Sequence, residues 1–261
     1  MASGEAGLFL SQFRKLLDFN KQLRHIGAVL RKKKKFSFAI PKIRPVGVTA
    51  ILLDWSSDNI CDMEGSVRGI IRIFGQGNRI VLKQGAVFKG HLAIKGSDNV
   101  VMIGANCDVS ADISIKGNKQ TVSIGEETTF QSGKILCQED CDVTIGCACM
   151  ISRNVEIRTT DAHSLVDRKT RQRINPAASI VIGDHVWIGV GALVSKGSKI
   201  PEDSVVGAMS FVNKAFEESG IVIAGIPAKI VRQGVTWHRG RHKHFTEEKL
   251  NAWRALGTED S

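Results

Sequence analysis

Residues 182–212 read "IGDHVWIGVGALVSKGSKIPEDSVVGAMSFV", and a large aliphatic residue returns at every sixth position of this stretch. The series consists of Ile182, Ile188, Val194, Ile200, Val206 and Val212. Four residues after these positions stand small or β-branched side chains, namely Val186, Ala192, Ser198, Ser204 and Ser210. Glycine often follows the aliphatic residue directly, where a tight bend needs no Cβ. A six-residue repeat of this kind is typical of parallel β-helices, in which each hexad is a short strand and a corner.

The same spacing extends upstream to residue 82. Its positions are Leu82, Phe88, Ile94, Ile103, Val109, Ile115, Ile124, Phe130, Leu136, Ile145, Ile151 and Ile157, with small partners at Ala86, Cys107, Thr128 and Cys149. Polar inserts, "KGSDN", "KGNKQ" and "QEDCD", separate successive sets of three hexads. We therefore predict that three hexads form one coil of a triangular prism, that the inserts stack along one irregular edge, and that stacking of coils buries the core.

Three motifs add a resemblance to a known family. They are "VWIG", "AGIPAKIVR" and, upstream of both, "ISRNVEIRTTDAHSLVD". Over roughly residues 60–237 the chain resembles the hexapeptide-repeat O-acetyltransferases, most closely the capsule and lipopolysaccharide branch, and is similar to maltose and galactoside acetyltransferases. The resemblance implies an all-β solenoid that is a left-handed parallel β-helix. It also implies transfer of an acetyl group from acetyl-CoA to a sugar hydroxyl in polysaccharide biosynthesis, by a homotrimer with sites between prisms.

The repeat breaks at "RTTDAHSLVDRKTRQRINP", residues 158–176, and we expect an active-site loop over 158–179. The resemblance places the general base at His163, since a neutral imidazole suits proton removal near pH 7. Asp161 is the first candidate to orient that imidazole and Glu156 the second, although Asp161 also fits a solvated loop carboxylate. The backbone N–H of Val190 is the expected donor to the oxyanion.

Further positions match those that meet CoA in the family. They are Trp187, Val190, Ala208, Lys214, Ala224, Gly225, Lys229 and Arg232, the basic ones being natural partners of phosphate. Three departures concern the same regions. Met209 replaces the usual glycine, Asn213 replaces the usual threonine, and "TTFQSGKI" lacks an acceptor-facing asparagine, for which Ser132 or Gln131 is the candidate replacement.

We divide the chain into an N-terminal amphipathic helix and basic segment (1–45), the β-helix (46–236) and a C-terminal helical tail (237–261). Apolar residues keep helical spacing over 5–30, but the intervening charges make this helix unsuited to spanning a membrane. Together with "RKKKKF" it fits either peripheral contact with anionic lipid or packing on a prism. In the tail, Thr246 and the two acids that follow predict a helix over 246–257.

Composition narrows the partners and the compartment. The 261 residues carry a net charge of +10, which favours anionic partners such as CoA and acidic glycans. The absence of tyrosine and of a basic-aromatic stripe opposes nucleic acid binding. Six cysteines without a signal peptide predict reduced thiols in the cytoplasm. Cys107 and Cys149 fit the core, whereas Cys137, Cys141 and Cys147 fall near corners, and we expect no metal.

Other functions on the same repeat stay open. The acceptor can instead be an amino-sugar amine or an antibiotic. A zinc carbonic anhydrase needs three histidine ligands, and His163 and His185 have no third histidine near them in the repeat region. A non-catalytic scaffold would need neither His163 on a long loop nor the "AGIPAK" segment.

Overall fold

The structure is a computed structural model that describes residues 42–45, 50–54 and 58–256. Its strands stack as the coils of a parallel β-solenoid with three faces. At the N-terminal end β1 (Lys42–Pro45) pairs antiparallel with β2 (Ala50–Asp54), and β2 pairs in parallel with β4 (Ser66–Phe74). The predicted six-residue repeat therefore forms the predicted class of fold.

The strands divide among the three faces. The first face contains the later halves of β4 (Ser66–Phe74) and β6 (Val87–Lys95), then β9 (Asp112–Lys116), β12 (Gly133–Gln138), β15 (Val155–Arg158), β18 (Leu193–Ser195) and β21 (Phe211–Val212). The second contains the earlier halves of β4 and β6, then β8 (Asp108–Ser110), β11 (Thr129–Phe130), β14 (Met150–Ile151), β17 (Trp187–Ile188), β20 (Val205–Val206), β22 (Val222–Gly225) and the antiparallel β23 (Ala228–Arg232). The third contains β3 (Ile60–Met63), β5 (Arg79–Leu82), β7 (Val100–Ile103), β10 (Thr121–Ile124), β13 (Val143–Ile145), β16 (Ile180–Ile182) and β19 (Lys199–Ile200).

The interior is filled by the residues that the spacing selects. Every predicted inward residue from Leu82 to Val212 except Leu136 is at most 2% exposed, and so is every small partner from Ala86 to Ser210. Burial raises the pKa of the Cys107 and Cys149 thiols to about 12, as fits their place in this core.

The prediction for Leu136 is wrong. Ile135 and Cys137 point inward instead, and they stack on Ile113 and Ile115 of the preceding coil. The corner before β12 is longer than the single residue Ala111 that joins β8 to β9, and the extra residue reverses which side chains face inward. Cys137 is therefore a core residue rather than a corner residue, and burial raises its pKa to about 12.

We name the three edges after the residues that distinguish them. The loop edge joins the first face to the third and contains residues 75–78, 96–99, 117–120, 139–142, 159–179 and 196–198. The His185 edge joins the third face to the second and contains 104–107, 125–128, 146–149, 183–186 and 201–204. The Val190 edge joins the second face to the first and contains 111, 131–132, 152–154, 189–192 and 207–210.

The polar inserts stack on the loop edge, as predicted. Buried amides run along it: the Asn78 Oδ1 accepts from Asn99 Nδ2 at 2.9 Å, and the Asn99 Oδ1 accepts from the Gln120 N–H at 3.0 Å. Each amide thus connects two coils and satisfies polar groups that would otherwise be buried without partners.

The C-terminal tail ends in a short helix. Thr246 caps α1 (Glu247–Asn251), which continues as the 3-10 helix Ala252–Ala255, so the predicted start is confirmed although the α-helical part is shorter than expected. The helix predicted over 5–30 lies outside the described residues. None of the helices within the described ranges has the length and apolar character needed to span a bilayer.

Candidate active site

The break in the repeat is a hairpin-like loop on the loop edge. The chain leaves the solenoid after Arg158 and returns at Ile180, and the Ala178 N–H donates to the Thr159 carbonyl at 3.1 Å, so the two ends of the loop meet. Within the loop Val166 and Arg173 form an antiparallel bridge. The tip is closed by Asp167, whose Oδ1 accepts from the N–H groups of Lys169 and Thr170.

His163 lies at the base of this hairpin with an exposed side chain. Its backbone carbonyl accepts from Asn175 Nδ2 at 2.9 Å. Ala162, directly before it, has a φ of +65°, a left-handed conformation that non-glycine residues adopt at turns and constrained sites. The backbone at His163 is therefore held in place while its imidazole faces outward.

Asp161 is oriented towards the solenoid. Its Oδ2 accepts from Lys196 Nζ at 2.6 Å and from Asn175 Nδ2 at 2.8 Å. The bond from Lys196, and then that from Asn175, lower the pKa of the Asp161 carboxyl, so it is anionic at neutral pH. Among residues 58–256 no hydrogen bond joins Asp161 to the His163 ring, and Glu156 pairs with Arg158 at 3.2 Å.

A second ion pair holds the returning strand of the loop. Glu139, on the coil below, accepts from Arg173 Nη1 at 2.5 Å and from the Thr160 hydroxyl at 2.5 Å. The Arg173 bond is the larger cause that lowers the pKa of Glu139. The loop is thus attached to the solenoid on both of its sides, through Lys196 and through Glu139.

The Val190 edge collects most of the positions predicted to meet CoA. Val190 is 41% exposed on this edge, Ala208 is stacked on the same edge of the next coil, and Trp187, on β17 of the second face, is 37% exposed with its ring 6.1 Å from that of Trp237. Within residues 58–256 the backbone N–H groups of Val190 and Ala208 donate to no acceptor, whereas the Val190 carbonyl accepts from the Met209 N–H at 2.8 Å. Two backbone N–H groups at this edge are thus without an acceptor among the described residues.

The "AGIPAK" segment forms the turn above that edge. Ala224 and Gly225 end β22, a cis peptide bond joins Ile226 to Pro227, and β23 carries Lys229 and Arg232 on the surface. The Gly225 N–H donates to Ser210 Oγ at 3.1 Å, which fixes the turn on the last coil.

Lys214 lies elsewhere, on the loop edge side of β21, with its Nζ 5.1 Å from the centre of the Phe216 ring. One chain therefore groups His163, Asp161 and Lys214 on the loop edge and Val190, Ala208, Ala224 and Gly225 at the Val190 edge, with Trp187 on the second face. The four residues of β15 lie between, a span of about 13 Å.

A groove lies on the Val190 edge below these residues. It has a volume of about 470 Å³ and is lined in part by Lys89, Ser110, Ser132, Asn154 and Glu156. Ser132, a candidate replacement for the missing asparagine, accepts from the Asn154 N–H at 3.2 Å. The sequence reasoning missed Asn154, because it lies on the next coil and only the stacking of coils brings it beside Ser132.

His185, outside the loop, has structural partners. His185 Nδ1 lies 2.8 Å from Asp203 Oδ1, and its ring is stacked between those of Trp237 and Trp253, with centroids 4.3 and 4.9 Å away. Burial is the main cause that lowers the pKa of His185. Residues 58–256 contain no group of three or more His, Cys, Asp or Glu side chains that could hold a metal ion.

Comparison with known proteins identifies O-acetyltransferases that are similar to this chain. No family model matches the chain. It is 36% identical to the polysialic acid O-acetyltransferase of Neisseria meningitidis over 170 residues, which cover 65% of this chain and 79% of that enzyme. It is 35% identical to the polysialic acid O-acetyltransferase of Escherichia coli O1:K1 over 115 residues, 44% of this chain but only 37% of that enzyme.

Crystal structures of two polysialic acid acetyltransferases are also similar to this chain. The crystal structure of the polysialic acid-specific acetyltransferase NeuO superimposes with a TM-score of 0.68 at 28% identity, over 76% of this chain and 92% of that one. That of the polysialic acid O-acetyltransferase OatWY gives a TM-score of 0.60 at 31% identity, over 70% and 99%. With the repeat, the loop and these relatives together, the chain belongs to the hexapeptide-repeat O-acetyltransferases.

Proposed function

We propose that this protein transfers an acetyl group from acetyl-CoA to a hydroxyl of a polysaccharide, with His163 as the general base. The observation that carries the proposal is the position of His163, whose backbone is anchored at the base of an ion-paired loop while its imidazole is exposed. Such an arrangement suits a base that must reach a large acceptor outside the solenoid.

In the proposed reaction His163 accepts the proton of the acceptor hydroxyl as its oxygen attacks the thioester carbonyl carbon. The Val190 N–H donates to the oxyanion that forms. When the intermediate collapses the carbon–sulfur bond breaks, and the CoA sulfur leaves and takes up the proton from His163. Asp161 contributes indirectly to this step. Its bonds with Lys196 and Asn175 hold the loop that carries His163, and it forms no hydrogen bond with the imidazole.

CoA would lie along the Val190 edge. Trp187 supplies an exposed apolar surface for the pantetheine arm, the backbone at Ala208 supplies a hydrogen-bond donor, and the turn at Ala224 and Gly225 borders the same edge. Lys229 and Arg232 on β23 are exposed cations suited to the phosphates, and Lys214, which lies on the loop edge, would meet them from a second copy of the chain.

An acidic polysaccharide is the acceptor that the observations favour. The two relatives with the detailed matches act on polysialic acid according to their names, and the net charge of +10 favours an anionic partner. The chain spans little more than a third of the E. coli enzyme, so the acceptor is proposed for the aligned solenoid alone. Amino-sugar amines and antibiotics are the competing acceptors.

A homotrimer of left-handed prisms would complete the site. Since His163 and Val190 lie on different edges of one chain, a second copy must bring its Val190 edge to the first copy's loop. Leu165, Val166 and Ile174 on the loop are each more than half exposed, as suits side chains that a second copy covers. Mixing inactive His163→Ala with inactive Ala208→Trp should restore activity at about one site in four.

Membrane contact through the N-terminal basic segment and a cytoplasmic location are the remaining proposals. They rest on "RKKKKF" and on the cysteine content, since that segment lies outside the described residues.

The test measures release of CoA from acetyl-CoA with a panel of acceptors: polysialic acid, neutral polysaccharides, amino sugars and chloramphenicol. We expect release that depends on polysialic acid and falls by about 10²–10⁴-fold in His163→Ala. The matched control is His242→Ala, another exposed histidine, which should leave the rate unchanged. Full activity in His163→Ala would show that His163 is not the base. If no acceptor causes release of CoA, a non-catalytic scaffold would be favoured instead.

A further inference from the structure

Asn175 makes four hydrogen bonds inside the active-site loop. Its Oδ1 accepts from the Leu165 N–H at 2.6 Å and from Arg173 Nε at 3.3 Å. Its Nδ2 donates to the His163 carbonyl at 2.9 Å and to Asp161 Oδ2 at 2.8 Å. The Asn175 side chain is half-buried, whereas the four residues that it bonds are exposed. No other side chain of the loop forms hydrogen bonds with residues 161, 163 and 165 together.

The chemistry of the partners requires an amide. Two of them are donors and two are acceptors, and only a side chain with one accepting and one donating end serves both pairs. A carboxylate of the same shape could accept from Leu165 and Arg173, but it could not donate to His163 and would repel Asp161. The orientation of the Asn175 amide is therefore fixed by its surroundings.

These bonds fix the position of the backbone at His163, the proposed base. Two of the bonds reach the backbone directly, at the His163 carbonyl and the Leu165 N–H, and a third reaches the side chain of Asp161 two residues before His163. Asp161 in turn is held by Lys196 at 2.6 Å, which ties the same network to the solenoid. The bonds from Asn175 and Lys196 thus connect the His163 backbone to the rigid coil above.

We propose that Asn175 is a positioning residue for catalysis, which orients the His163 imidazole by fixing its backbone. The inference rests on the proposed role of His163 as the base. Asn175 touches neither substrate in this account and acts through His163 alone. Its loss should therefore lower kcat rather than weaken the binding of acetyl-CoA, which lies along the other edge.

The test compares Asn175→Ala and Asn175→Asp with Asp167→Ala, using the acceptor that gives the highest rate with the unmodified enzyme. Both Asn175 variants should lower kcat by about 10- to 100-fold, since a misplacement near 1 Å costs about 10²-fold. The KM for acetyl-CoA should stay within about threefold of its original value. Asp167→Ala removes hydrogen bonds at the tip of the same loop and should retain kcat. The midpoint of thermal unfolding verifies that each variant is folded.

The outcomes separate the inference from the function on which it rests. If His163→Ala is inactive and Asn175→Ala keeps its full kcat, the positioning role is wrong and the base stands. If Asp167→Ala loses as much kcat as Asn175→Ala, the effect is general loosening of the loop and the inference fails. If His163→Ala keeps its activity, both proposals are overturned.

Discussion

Asn99 connects three coils through one buried side chain. Its Nδ2 donates to Asn78 Oδ1 at 2.9 Å and to the Gly117 carbonyl at 3.0 Å, and its Oδ1 accepts from the Gln120 N–H at 3.0 Å. We predict that Asn99→Ala lowers the free energy of unfolding by about 3 kcal/mol, because several buried groups lose their partners.

The measurement is urea denaturation, and Asn118→Ala is the matched control. Asn118 lies on the same edge and accepts from the Ser97 N–H at 2.8 Å, but in an exposed setting. Its loss should change the free energy of unfolding by less than about 0.5 kcal/mol. Equal midpoints for the two variants would show that burial of the amide is not what stabilises this edge.

Single residues also show what the sequence could and could not predict. The inward side chains were predictable because the same burial requirement repeats at each coil. Leu136 was the exception, because one added residue in the corner before β12 reverses which side chains of that strand face the core. The partners of His163 were not predictable. Asn175 and Lys196 are separated from Asp161 by 14 and 35 positions, and no periodic pattern relates them.

The loop as an element depends on its two ion pairs. Lys196→Met removes the bond to Asp161 and keeps a long apolar stem, so the loop should open more often. A partly exposed pair contributes up to about 1 kcal/mol, which corresponds to about a fivefold change in opening. We predict faster tryptic cleavage at Arg168, Lys169 or Arg171 in the native protein.

Lys199→Met is the control for this prediction. Lys199 lies three residues further on and pairs with Glu217 at 3.3 Å, away from the loop. It should leave the cleavage rate unchanged. A cleavage rate that rises equally in both variants would assign the effect to general destabilisation.

Elements differ in how far local sequence determines them. The start of the C-terminal helix followed from Thr246 and the acids after it, since capping is a local interaction. The position of the loop followed from the break in the repeat. Its hairpin form did not, because it depends on Asp167, Arg173 and Asn175 meeting across the loop.

At the scale of the whole molecule the tail is fastened to the solenoid at the His185 edge. The Trp237 indole N–H donates to the His185 carbonyl at 2.7 Å, and the ring of His185 is stacked between Trp237 and Trp253. Asp203 faces its Nδ1, while Arg239 and His238 are the other ionisable groups nearby. Burial lowers the pKa of His185, so protonation disfavours the folded state.

The direction in which stability changes with pH depends on which state binds the His185 proton more readily. The unfolded chain binds this proton more readily than the folded one, so the stability is complete above the unfolded pKa of about 6.5 and declines as the pH falls below it. We predict that the urea midpoint decreases from pH 7.5 to 5.5 and that His185→Asn reduces this decrease. Asparagine tolerates the φ of +51° at this position. An unaltered slope in His185→Asn would contradict the prediction.

The meeting of the loop ends has a consequence for how such enzymes diversify. Because the Ala178 N–H bonds to the Thr159 carbonyl, the excursion begins and ends at one point and leaves the register of the coils unchanged. Segments of different length can therefore be exchanged there at a small entropic cost, which grows only slowly with length. Evolution or design can thus replace this loop with one of another length while the solenoid beneath it stays the same.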